Sequence, residues 1–129
     1  MPRLPGVYAV VRPETAPPEF LLRSVGGHFK GRDPTVDLGV LEANWVSGAT
    51  VVYIGKAGEL RIRLRTYAKY GQGQPVGHQG GRYIWQLADH GDLLACWMPT
   101  EESPRDTERK LIEDFKARHG RRPFANLVD

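Results

Sequence analysis

The stretch Val52-Tyr53-Ile54-Gly55-Lys56 constrains this chain more than any other. Residues 49–54 (Ala-Thr-Val-Val-Tyr-Ile) are rich in β-branched and aromatic side chains and read as a strand, with Gly55 as its end. A tyrosine and a lysine therefore stand together where the strand stops. The basic run Arg61-Ile62-Arg63-Leu64-Arg65 follows almost at once. A phenol beside two cations suits a phosphodiester: the phenol passes a proton or orients water, and the cations hold an oxyanion. Two further pieces lie far off in sequence, Gly6-Val7-Tyr8 near the start and Glu108 with Asn126 near the end.

At 129 residues the chain reads as one domain, 1–129, with a single core. Apolar residues make up 40% and charged residues 26%, which places it among globular chains rather than disordered ones. No apolar run approaches the ~20 residues that span a membrane. No apolar segment follows Met1-Pro2-Arg3-Leu4-Pro5, so no secretory signal is expected. Cys96 is the only cysteine, which excludes an internal disulfide and a cysteine-rich zinc site and fits a reducing cytoplasm. Its neighbours Leu93, Leu94 and Trp97 predict that it packs as a small apolar residue. The net charge is only +3, yet residues 56–82 carry six cations against Glu59 alone, so the rest of the chain is slightly acidic. Such a local basic patch is the footprint of a nucleic-acid contact, or equally a solvated basic helix face.

Residues 6–11 (Gly-Val-Tyr-Ala-Val-Val) read as a first strand between Pro5 and Pro13. Residues 12–48 are dense in proline and glycine and read as an insertion with minor structure, a strand at 19–24 and a short helix near 35–45. The run 60–65 is ambiguous. Its strict Leu/Arg/Ile/Arg alternation favours a strand, whereas Leu60, Leu64 and Tyr67 share one face of a helix. Residues 71–81, with five glycines and a proline, predict a loop, followed by a short helical segment at 81–88 and a strand at 92–98. Ser103-Pro104-Arg105-Asp106 opens a helix with serine at the cap and proline in the first turn, and Gly120 closes it.

On that helix Leu111, Ile112 and Phe115 form the apolar stripe, and Glu108 falls on the same face. A carboxylate there must be protonated, paired or bound to a metal. The plain alternative is a stripe-edge glutamate paired with an arginine. Tyr8 and Tyr53 read singly as ordinary strand aromatics, Lys56 as a turn lysine, and Arg63 as one of three solvated arginines. His78 reads as an exposed loop histidine, and Asn126 as a turn residue or a lock on the C-terminal segment. Their joint occurrence in this order carries the functional reading.

In order and spacing these residues resemble the GIY-YIG nuclease family. Gly6-Val7-Tyr8 stands for the first motif half and Tyr53-Ile54-Gly55 for the second. Lys56, then Arg63, then Tyr67 are similar in spacing to the family's excision-repair members, Glu108 to its late-helix glutamate, and Asn126 to its closing asparagine. The resemblance covers nearly the whole chain except 12–48. The family's motif halves are usually joined by a short hairpin, although its restriction-type members carry insertions there.

The resemblance implies a small α+β fold, a three-stranded antiparallel sheet flanked by helices, with the 12–48 insertion between the first two strands. It implies a helix over 60–69. It further implies metal-assisted hydrolysis of DNA phosphodiesters, with Glu108 holding Mg²⁺ or Mn²⁺ and Tyr8 activating or orienting water. Tyr8 would need Lys56 and the metal field to favour its deprotonation. Tyr53 would support that network, Arg63 would hold the phosphate beside Tyr67, and Asn126 would position the C-terminal segment. Arg61, Arg65, Lys69, His78 and Arg82 are candidates for backbone contacts with DNA. The expected partners are DNA and a homodimer mate or partner protein supplying specificity. The alternative is a nucleic-acid-binding module on the same fold that does not cleave.

Overall fold

The computed structural model describes residues 4–24, 35–71 and 79–127, without the side chains of 66–71 and 79–81. Its centre is β1 (Gly6–Val11), the first apolar segment of the sequence. β2 (Val51–Ala57) pairs antiparallel along one side of it and β3 (Leu94–Pro99) along the other, so the sheet order is β2-β1-β3. Tyr8 stands opposite Gly55 on β2 and Trp97 on β3, and Val10 stands opposite Tyr53. Directly opposed residues share a sheet face. One face therefore carries Tyr8, Val10, Tyr53 and Trp97, and the other carries Val7, Ala9, Ile54 and Lys56.

Among the described residues three α-helices surround this sheet: α1 (Leu38–Asn44), α2 (Leu60–Gly71) and α3 (Pro104–His119). α2 covers the tyrosine face, where Leu60 and Leu64 pack with Tyr8, Val10 and Tyr53. α3 covers the other face, where Ile112 and Phe115 pack with Val46, Ala49 and Ile54. The protein is thus α+β, with helices on both sides of a three-stranded antiparallel sheet. Among the described residues no helix is long and apolar enough to cross a membrane.

The alternation at 60–65 misleads because a strand would put Leu60, Ile62 and Leu64 on one face. The helix buries Leu60 and Leu64, one turn apart, and leaves Ile62 exposed. β2 runs past its expected end: Gly55 lies within the strand, opposite Tyr8, and Lys56 is a strand residue, not a turn residue. A 3-10 helix at Gln79–Gln86 takes the place of the segment expected at 81–88 and of the last residues of the expected loop, whose remainder at 72–78 lies outside the described residues. α3 has the predicted bounds, and Gly120 closes it with left-handed backbone (φ 78°). Ser103 caps through its carbonyl, which accepts from Asp106 and Thr107, and its side chain makes no cap bond. Cys96 is exposed, not packed, because β3 is an outer strand that, unlike β2, is left uncovered, with all six of its residues exposed.

The described parts of the segment 12–48, residues 12–24 and 35–48, contribute to the core. Leu41 of α1 is fully buried, and Phe20 and Trp45 close around Phe124, with ring centres 5.7 and 5.2 Å from it. The strand expected at 19–24 is a single bridge, Phe20 with Leu87. The fully buried Gln86 stitches the segment in place: its amide donates to the Leu21 and Val36 carbonyls (both 3.0 Å) and accepts from the Val36 N–H (2.9 Å). Arg12, also buried, donates to Asp89 (2.7 Å) and to the Ala16 carbonyl (2.6 Å) and lies over the Trp45 ring.

Candidate functional site

Strand register places Tyr8 and Tyr53 diagonally on adjacent strands, with ring centres 5.9 Å apart. The Tyr8 ring leans over Gly55. A Cβ built on that glycine would lie 2.6 Å from Tyr8 Cζ and 2.7 Å from Oη, so only glycine leaves room for the ring. This gives Gly55 a role that reading it as a strand end had missed. The signal available in sequence was its two-residue offset from Tyr53, which puts both on one face.

Arg63 comes from α2, one turn after the buried Leu60, and hydrogen-bonds to both phenol oxygens. Arg61 and Arg65 lie on another face of the helix, i and i+4 to each other, so the register of α2 separates Arg63 from its neighbours. Among the described residues the buried Arg63 Nε has no hydrogen-bond partner. A guanidinium carries five donors, and an unpaired buried one is unfavourable until an acceptor arrives.

The electrostatics follow from burial. Tyr8 is 2% exposed. Burial, reinforced by neighbouring Tyr53, raises its phenol well above the ordinary value near 10, and the charge and hydrogen bond of Arg63 offset only part of that rise. Burial also raises Tyr53, against the hydrogen bond to Tyr8 and the charge of Arg63, with Glu108 adding to the rise. For Arg63, burial works against the charge, but Tyr8 and then Tyr53 outweigh it, and the guanidinium holds its proton more firmly than free arginine. The cation acting on Tyr8 is therefore Arg63 and not the expected Lys56.

Lys56 and Glu108 meet on the other side of the sheet. Lys56 Nζ donates to Glu108 Oε1 at 3.5 Å, with Lys56 half exposed and Glu108 largely covered. Glu108 thus sits at the edge of the α3 stripe with a lysine partner, where the sequence had offered an arginine. A cleft of about 410 Å³ at the junction of β2 and α2 is lined by Lys56, Ala57, Gly58, Glu59, Ile62 and Arg63. Both cations border it, although Lys56 leaves β2 on the face opposite to the one that α2, with Arg63, covers.

Among the described residues no group of three or more His, Cys, Asp or Glu side chains converges. A lone carboxylate whose lysine partner borders a cleft with two cations still fits Mg²⁺ or Mn²⁺ held by one carboxylate, waters and substrate phosphate, the usual mode for Mg²⁺. Glu108 meets that requirement, and its lysine partner is a weak, partly solvated one.

Asn126 is bound tightly to β2. Its side-chain carbonyl accepts from the Ile54 N–H and its amide donates to the Ile54 carbonyl, both at 2.9 Å. The neighbouring Ala125 N–H donates to the Val52 carbonyl (2.8 Å), so the C-terminal segment covers the outer edge of β2 next to Tyr53. Arg82 lies over the Tyr83 ring, on the 3-10 helix. Tyr67 and Lys69 belong to α2, but their side chains are outside the described set, and His78 lies outside the described residues altogether.

No family model, no curated protein and no solved structure matches this chain.

Proposed function

We propose that this protein is a divalent-metal-dependent endonuclease of the GIY-YIG type that hydrolyses DNA phosphodiesters. The observation that carries the reading is Arg63: a guanidinium fixed by two buried phenols, with Nε unpartnered among the described residues, bordering a cleft it shares with Lys56. Two cations on its border make that cleft suited to an anion. A phosphate there would be held by the Arg63 guanidinium, with Lys56 as a second positive charge. Tyr53 holds Arg63 and Tyr8 in register, and Asn126 holds the strand that carries Tyr53.

Burial keeps Tyr8 protonated at neutral pH, so its role in the free protein is to orient the attacking water through its hydroxyl. Glu108 is the residue that would hold Mg²⁺ or Mn²⁺, which when bound supplies Lewis-acid stabilisation of the charge developing on the phosphate. The basic surplus of residues 56–82 favours DNA as partner, and a cytoplasmic setting suits the exposed Cys96 thiol. Double-strand cutting would call for a homodimer or a partner protein, which would also supply sequence choice. The segment 12–48 corresponds to the insertion that sets this chain apart from the family's short hairpin.

The burial of Tyr8 also favours a second reading, a DNA-binding module on this fold that does not cleave. Supercoiled plasmid incubated with and without Mg²⁺ or Mn²⁺ separates the two. Metal-dependent nicking by the wild type, lost in Glu108→Gln with DNA binding retained, is the outcome expected of the nuclease. Salt-sensitive binding without nicking under either metal would leave the binding module.

A further inference from the structure

Tyr8 has two cross-strand neighbours on its own face, Gly55 and Trp97. The space above Gly55 is filled by the Tyr8 ring. On the opposite side stands Trp97, which is 45% exposed although it belongs to the largest and most apolar side-chain type of the chain. The other two tryptophans are packed: Trp45 against Phe20 and Phe124, and Trp85 in the core. Strands lie about 4.8 Å apart, so Trp97 begins one strand from the Tyr8 backbone and about two strands from its hydroxyl, which lies over Gly55, a separation that a nucleotide next to the scissile phosphate spans. Leu93–Pro99 contains no charge, and the β1–β3 pairing contains no bulge. Charges and bulges, two of the devices that guard an outer strand, are thus missing here, and the edge proline, Pro99, stands only at its end.

We infer that Trp97 is a stacking platform for an unpaired nucleobase next to the scissile phosphate, and that the preferred substrate is DNA with a single-stranded or unstacked nucleotide at the cut. The inference rests on the nuclease reading above. An indole face stacks on any base, which gives affinity without sequence choice. A base inside an intact duplex presents no free face and must first be unstacked, which a gap or flap has already done. Arg63 and Lys56 then take the phosphate while Trp97 takes the base beside it, so that a small domain selects a DNA structure.

The test compares wild type, Trp97→Ala and Trp97→Phe for binding, without divalent metal, to a blunt duplex and to the same duplex carrying a single-stranded gap. Trp97 is exposed, so circular dichroism of both variants should match wild type. The expected result is a roughly five- to hundredfold loss of affinity for gapped DNA in Trp97→Ala, little change on blunt duplex, and retention in Trp97→Phe. Quenching of tryptophan fluorescence by gapped DNA should disappear in Trp97→Phe. Equal losses on both DNAs, or none on gapped DNA, would overturn the inference and leave the nuclease reading standing. A concentration-dependent dimer dispersed by Trp97→Ala, with gapped-DNA affinity unchanged, would assign β3 to self-association and also overturn it. If wild type binds neither DNA in a salt-sensitive way, the nuclease reading itself fails.

Discussion

The Tyr8 ring occupies the place where a side chain at position 55 would be. A strand residue and the ring from the strand beside it form one packed unit, and Arg63 is hydrogen-bonded on top of it. The position of the phenol in the candidate site is thus set by an absent methyl group.

Gly55→Ala should therefore behave unlike most glycine substitutions in a strand, which gain stability from a stiffer unfolded chain. Here the added methyl overlaps Tyr8, and a loss of about 1–3 kcal/mol is expected, together with loss of nicking. In a Tyr8→Ala background the same change should cost almost nothing. Urea unfolding of the four proteins of this cycle measures the coupling, and additive losses would show that the ring does not depend on the glycine.

Arg63→Ala should reduce nicking by about 100- to 1,000-fold, the range for losing an oxyanion donor. Arg61→Ala should reduce it by less than about tenfold, as befits a diffuse contact on another helix face. Single-turnover rates on one oligonucleotide make the comparison, and equal small losses would reduce the three arginines to a common patch.

Tyr8 and Tyr53 both hold their protons more firmly in the fold than in the unfolded chain. The sign follows: above the ordinary tyrosine value, about pH 10, the unfolded state has released protons that the native state still binds. The contribution of these phenols is fully present below about pH 10 and is lost as pH rises toward the folded values. Stability should fall on the alkaline side, and Tyr53→Phe should flatten the fall. Urea midpoints from about pH 8 to 11, followed alongside tyrosinate absorbance, provide the measurement.

Gln86→Ala should destabilise the fold by about 2–4 kcal/mol, because it strands the Leu21 and Val36 carbonyls and the Val36 N–H in a buried setting. Gln86→Glu should be at least as harmful, since a carboxylate offers no donor to those carbonyls. Thermal unfolding would reveal either effect. A loss under about 0.5 kcal/mol for both would mean that the segment 12–48 is held by its apolar contacts alone.

β1 and α3 were legible in sequence to the residue, because prolines bound the first and Ser103-Pro104 with Gly120 bound the second. β2 was legible as a strand but not in its length. A local rule reads glycine as a strand end, whereas here a tertiary neighbour requires it mid-strand. The candidate-site residues could be named from the sequence, yet their grouping could not. Sequence placed Lys56 beside the tyrosines, while the pleat turns it to the opposite face from Tyr53 and toward Glu108. Gln86 and Arg12 left no trace, since their partners lie up to 77 residues away and no period encodes them.

Phe124 has a wider consequence. It is embraced by Phe20 and Trp45 from the segment between β1 and β2, and two residues further on Asn126 grips the strand that bears Tyr53. Polymer statistics make loop length nearly neutral, so a chain like this should drift easily toward a shorter link between its first two strands. The aromatic ring limits that freedom at two positions, Phe20 and Trp45. A shortened link that dropped Phe20 or Trp45 would uncover Phe124 two residues before Asn126, so these two positions and the C-terminal segment can change only together.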